Sequence, residues 1–294
     1  MTCIMKIIFD EGLFCDTGTI MKTKFEPIIP NFPHMIHGAD YNPDQWIPYD
    51  PEIIKKTCEE KGNTMDLSYM PIREQICDIC HKMWQLGWVA ANDGNITVKL
   101  EDGSFLTTPT GMSKSFITPE KLVHIDSVGN ILEAAEGCRP SSELKMHLRC
   151  YEEREDVGAV LHAHPPVATG YAVAGIPLDD YSMIETVIAL GSIPVTPYGT
   201  PSTYEVPDAI APYLGEHDAV LLQNHGALTV GVDLITAYYR MERLELFAKI
   251  SLNAHLLGGA QELSRENIER LISMRSGYKV TGRHPGYKKY SQKD

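Results

Sequence analysis

The chain predicts an α/β fold. Short apolar runs bounded by turn residues alternate with stretches of helical periodicity from Ser68 onward, which carries this reading, and a composition of 43% hydrophobic and 22% charged residues suits one large domain or one domain with an appendage. Residues 1–67 stand apart as a proline-rich, weakly periodic extension, either disordered or chimeric. Within it, Phe32 to Trp46 resembles the opening of bacterial barrel-type β-galactosidases, but it is far too short for a barrel and lacks the catalytic carboxylate pair. No glycosidase activity is assigned to it. Residues 68–294 form the catalytic domain of this reading.

Pro71 opens a helix that runs to about Leu86, where Gly87 closes it. Asn95 to Leu100 and Phe105 to Thr107 flank Glu101-Asp102-Gly103-Ser104 and predict a β-hairpin. A helix is expected near Ser142 to Arg154, a buried strand over Val157 to His162, and a helix after Pro165-Pro166. There follow a strand at Ile193 to Thr196 and a helix from about Val206 to Leu214. Two strands then straddle His225-Gly226, and a long helix covers about Asp233 to Leu257. Apolar residues from Leu234 to Leu252 fall at helical spacing, which marks core. No internal repeat, G-x-G-x-x-G or P-loop interrupts the series.

The formal net charge of −13 argues against nucleic acid and anionic membrane surfaces as partners, since both attract clustered Lys and Arg. No apolar stretch reaches the length of a membrane span, and the start Met1-Thr2-Cys3-Ile4-Met5-Lys6 lacks a signal-peptide pattern, so a cytoplasmic protein is expected. Seven scattered cysteines make no disulfide framework. Cys77 and Cys80 form a C-x-x-C inside an amphipathic pattern and read as small buried residues.

His162-Ala163-His164 carries the chemistry. Side chains at i and i+2 of a strand leave the same face, so two imidazoles can converge on one point. His225, at the end of another apolar run, offers a third, and Glu143 in Pro140-Ser141-Ser142-Glu143 offers a carboxylate. Three histidines and one carboxylate suit a catalytic Zn2+ with a position left for substrate or water. Asn95, in Asp93-Gly94-Asn95, Thr110-Gly111, in a hydroxyl-rich turn, and Ser141-Ser142, at a helix start with free N–H groups and a favourable dipole, read singly as no more than a β-turn, a loop and an N-cap box, and only together with the histidines as a phosphate cradle.

Taken in order, Gly94-Asn95, Thr110-Gly111, Pro140-Ser141-Ser142-Glu143, His162-Ala163-His164 and Asn224-His225-Gly226 resemble the class II aldolase/adducin family, and most of all its L-fuculose-1-phosphate type. The resemblance covers about Asp66 to Asp294. It implies a three-layer α/β/α sandwich around a mainly antiparallel sheet, and a homotetramer with active sites between subunits. It further implies that His162, His164 and His225 ligate Zn2+, and that Glu143 transfers the proton and touches the metal when substrate is absent. Asn95, Thr110, Gly111, Ser141 and Ser142 would then bind a substrate phosphate. Tyr181 falls on the tyrosine that protonates the aldehyde oxygen from a neighbouring subunit, and Tyr278 matches loosely a second tyrosine that closes over the site. The reaction implied is cleavage of a ketose 1-phosphate to dihydroxyacetone phosphate and an aldehyde. The alternatives are an L-ribulose-5-phosphate 4-epimerase or another sugar-phosphate lyase of the family, and a noncatalytic adducin-like assembly module. Adducin is disfavoured because all three histidines and Glu143 are present. The epimerases carry a His-Ala-Asp-Tyr-Phe run where this chain reads Tyr181-Ser182-Met183-Ile184-Glu185.

Overall fold

The computed structural model describes residues 67–290. The extension expected over residues 1–67 therefore lies, but for Leu67, outside the described residues. Helix α1 (Met70–Gln85) begins with Pro71 in its first turn. Strands β1 (Asn95–Lys99), β2 (Phe105–Thr107), β3 (Val123–Ile125) and β4 (Ile131–Glu133) follow, then α2 (Leu144–Glu153), β5 (Ala159–Ala163) and α3 (Pro166–Ala174). The remainder comprises α4 (Ile184–Ala189), β6 (Val195–Thr196), α5 (Glu205–Leu214), β7 (Ala219–Leu222), β8 (Gly226–Gly231), α6 (Leu234–Leu256) and α7 (Arg265–Ser273).

The eight strands make one sheet in the order β4-β3-β2-β1-β5-β8-β7-β6. Neighbours pair antiparallel except β6 and β7, which are parallel, so the sheet is mixed with an antiparallel majority. Strand periodicity sorts the side chains into two layers. Ile96, Val98, Ala159, Leu161, Leu221 and Ala227 pack against Ile76, Ile79 and Met83 of α1, Ala168 and Ala172 of α3, and Met241, Leu244 and Phe247 of α6. Val160, Val220, Leu222, Leu228 and Val230 pack on the other face against Met146 and Cys150 of α2 and Ile210 and Leu214 of α5. The expected sandwich, with helices on both faces of the sheet, is present.

This alternation decides where the chemistry goes. His162 shares parity with Val160, so its ring leaves β5 toward the α2 side, and the register sets Asn95 opposite His162 and Thr97 opposite Val160. Polar side chains from β1 and β5 thus meet beneath the start of α2. The far end of β5 is pinned by the His164 N–H donating to the Trp88 carbonyl at 2.8 Å. Glu245 of α6 accepts the Ala168 N–H at 2.9 Å and so caps the start of α3. Among the described residues no helix is long and apolar enough to cross a membrane.

Candidate metal centre

His162, His164 and His225 converge. Their ring centroids lie 4.7–5.2 Å apart, and one nitrogen from each falls within 4.8 Å of the others. Nε2 of His162 and Nε2 of His164 are 3.1 Å apart. Two nitrogens held by one tetrahedral ion at its usual bond length stand about 3.3 Å apart, so these rings fit a shared ion with little adjustment.

Two of the three rings are oriented by a polar neighbour. Nδ1 of His162 donates to the Ala227 carbonyl at 2.9 Å, which fixes the hydrogen there and leaves the Nε2 lone pair facing the cluster. Nδ1 of His164 lies 3.5 Å from a carboxylate oxygen of Asp93. His225 follows Asn224, whose φ of 57° is the left-handed corner that turns the chain from β7 into β8. Gly226 is required next: a Cβ there would stand 2.5 Å from Cδ2 of His164 and 2.6 Å from the Ala163 carbonyl. Gly94 meets the same demand across the sheet, with φ of 71° and the His162 carbonyl 3.0 Å from where its Cβ would be.

Burial and the two neighbouring imidazoles hold the His162 pKa well below the ordinary histidine value. Burial, then His225, lowers that of His164 as well. Near neutral pH these rings keep their lone pairs for a ligand. The donor set of borderline imidazoles suits Zn2+ and related first-row ions.

Glu143, at the start of α2, reaches into the cluster. Its Oε2 is 3.4 Å from Nε2 of His162 and its Oε1 3.3 Å from Nε2 of His225. Asn95 Nδ2 donates to Oε2 at 2.9 Å. Oε1 has no hydrogen-bond partner although it is buried, as expected of an atom placed for a ligand. Asn95, read from sequence as a phosphate ligand, thus also orients the carboxylate.

The other cradle residues are drawn together by main-chain bonds. Pro109 bridges to Pro140, and the Thr110 N–H donates to the Arg139 carbonyl at 2.9 Å, so the turn holding Thr110 and Gly111 lies beside Ser141 and Ser142. Gly111 has a φ of 72° and open space around its α carbon, which leaves its backbone approachable. Ser141 Oγ accepts the Glu143 N–H at 3.3 Å.

Tyr181 is elsewhere. It packs with Val187 and Ile268, and its buried hydroxyl lies 2.8 Å from the Gly286 carbonyl and accepts the Lys288 N–H at 2.7 Å. Tyr278 is exposed and follows α7. Neither residue joins the three histidines of its own chain. Cys77 and Cys80 are buried, and burial drives the thiol of Cys80 up to about 12 and that of Cys77 higher, which makes both unreactive.

Sequence reasoning missed three polar residues here. Asp93 orients His164, and the turn Asn92-Asp93-Gly94 was its only signal. His147, one helical turn beyond Glu143, is buried and hydrogen-bonded through Nδ1 to Thr97 Oγ1. Lys114 turns inward beneath the Thr110-Gly111 turn.

A three-histidine centre with an adjacent carboxylate, on an α/β/α sandwich, defines a site built to hold a catalytic metal ion. The chain belongs to the class II aldolase and adducin family: residues 74–252 match that family's N-terminal domain. It is 33% identical over 181 residues to the L-fuculose phosphate aldolase of Escherichia coli (strain K12), covering 62% of this chain and 82% of the relative. To the L-fuculose phosphate aldolase of Methanocaldococcus jannaschii it is 31% identical over 183 residues, 61% of this chain and 95% of the relative. The solved structure of an L-fuculose 1-phosphate aldolase superposes with a TM-score of 0.65 at 29% identity, over 70% of this chain and 96% of the other. YgbL of Escherichia coli superposes with a TM-score of 0.63 at 27% identity, over 69% and 98%. Like these aldolase relatives, this chain is an enzyme, a carbon–carbon lyase of the metal-dependent class.

Proposed function

We propose that this enzyme is a zinc-dependent aldolase that reversibly cleaves a ketose 1-phosphate of the L-fuculose type to dihydroxyacetone phosphate and an aldehyde. The observation that carries the reading is Glu143 set between Nε2 of His162 and Nε2 of His225, beside a third imidazole. The residues present fit Zn2+, which His162, His164 and His225 would hold. When bound, that ion supplies a Lewis acid that takes up negative charge from the ketone oxygen.

The protein does the rest. Glu143 removes the proton from the carbon next to the carbonyl in synthesis and returns it in cleavage, and Asn95 keeps the carboxylate in place for both directions. Thr110, Gly111, Ser141 and Ser142, with a second N–H of Asn95, hold the phosphate and so fix which carbon faces Glu143. Tyr181, presented by a neighbouring subunit of a cytoplasmic homotetramer, exchanges the proton of the hydroxyl at the bond that breaks. For that step its hydroxyl must leave the Gly286 carbonyl that it now touches.

The test is direct. Zinc-loaded protein is incubated with L-fuculose 1-phosphate and related ketose 1-phosphates, and dihydroxyacetone phosphate is assayed. Release from at least one of them is expected. Epimerisation of L-ribulose 5-phosphate without any cleavage would reassign the reaction to the epimerase branch, and no turnover of either would favour an adducin-like module.

A further inference from the structure

Lys114 opens the short turn Lys114–Phe116, directly after Thr110-Gly111-Met112-Ser113. Lysine at such a place ordinarily points to water. This one is 1% exposed. Its ammonium donates to the Met112 carbonyl at 3.1 Å and to the Asn92 carbonyl at 3.3 Å. One cation therefore ties the turn bearing Thr110 and Gly111 to the loop bearing Asp93, Gly94 and Asn95.

A buried ammonium is costly unless something negative answers it. Among the described residues, no carboxylate lies within ion-pair distance of its Nζ. Burial lowers its pKa, and the carboxylates of Asp93 and Glu143 offset this only in part, the nearby Cys80 thiol being kept protonated by its own burial. A tie between two carbonyls needs only neutral donors, so the charge itself calls for another account.

Resting on the reading of these two loops as phosphate ligands, we propose that Lys114 is the buried cation of the phosphate subsite. It locks the Asn92 to Asn95 loop against the Thr110 to Met112 turn and supplies the positive charge that a substrate phosphate dianion completes. It is a positioning residue and does not touch the reacting atoms.

The test uses the full-length, zinc-loaded protein and the variants K114M, K114Q and K114R. Inorganic phosphate binding is measured by calorimetry, alongside zinc content and the KM and kcat for L-fuculose 1-phosphate. K114M is expected to weaken phosphate binding about tenfold and to raise KM by a similar factor, with the loss falling on KM more than on kcat. Zinc content stays at the wild-type level, and K114R restores most of the phosphate affinity. Unchanged phosphate affinity in K114M, or a loss confined to kcat, overturns the proposal. If K114M does not fold, K114Q is read in its place. If neither folds, Lys114 is a folding residue and the proposal falls. A wild-type protein that cleaves no ketose phosphate, yet binds phosphate in a Lys114-dependent way, would sink the proposed reaction and leave this assignment standing.

Discussion

Asn95 and Glu143 are joined by a 2.9 Å hydrogen bond, from the amide of a strand residue to the carboxylate at a helix start. Because Asn95 is the register partner of His162, that one bond couples the sheet, the three-histidine cluster and the carboxylate proposed to transfer the proton. Glu143→Gln keeps the shape and removes the proposed base, so turnover should fall roughly 10²- to 10⁴-fold with metal content unchanged. Asn95→Ala should lower kcat by about tenfold through a mobile carboxylate. Steady-state kinetics with metal analysis check both. A Glu143→Gln variant as active as the wild type would remove Glu143 from the chemistry.

Gly226 offers a probe of the centre that leaves all three ligands in the sequence. Gly226→Ala drives a methyl group toward His164 and the Ala163 carbonyl, so it should weaken Zn2+ binding by roughly 10- to 100-fold. Competition against a chelator of known affinity reads this. Wild-type affinity would mean that the close packing of His164 on Gly226 is irrelevant to the metal.

The metal-free protein should lose stability in acid, and His147 should contribute. Burial, chiefly, pushes its pKa down to about 3, and His162 adds to the effect. Between the ordinary histidine value and that level the unfolded chain binds a proton that the folded chain refuses, so folding stability falls as pH drops through this window. The slope from one such group is at most about 1.4 kcal/mol per pH unit. Urea denaturation from pH 7 to pH 4 should show a shallower slope in His147→Gln, and an identical slope would exclude His147 as a source.

Ser141→Ala combined with Ser142→Ala should act on substrate binding. The expected result is a KM for phosphorylated substrate raised about tenfold or more, with zinc retention intact. Zinc loss in the double variant would assign the serines to supporting the metal centre through α2, because Ser141 also accepts the Glu143 N–H.

Much of the site was legible because its signals are local. His162 and His164 are two residues apart on a strand, and the parity that brings them together is fixed by the backbone. Glu143 and the serines are legible as a helix start. The inward course of Lys114 was not, since it depends on two loops packing over it, and a lone lysine normally reads as surface. Strands β3 and β4 escaped notice because both are three residues long, β4 is largely exposed, and neither has a longer apolar run beside it, as β2 has in β1, to mark a hairpin. The turn between them is nonetheless marked by Asp126, whose Oδ1 accepts the Val128 and Asn130 N–H groups. Helix α4 is similarly short, whereas α7 carried a readable cap in Ser264, which accepts the Asn267 N–H.

The centre itself is tested most directly by anomalous scattering at the zinc edge from crystals of the zinc-loaded protein. A single peak is expected about 2.0–2.1 Å from one nitrogen each of His162, His164 and His225, with His162 bound through Nε2. A peak ligated by other residues, or none among these three rings, would contradict the account.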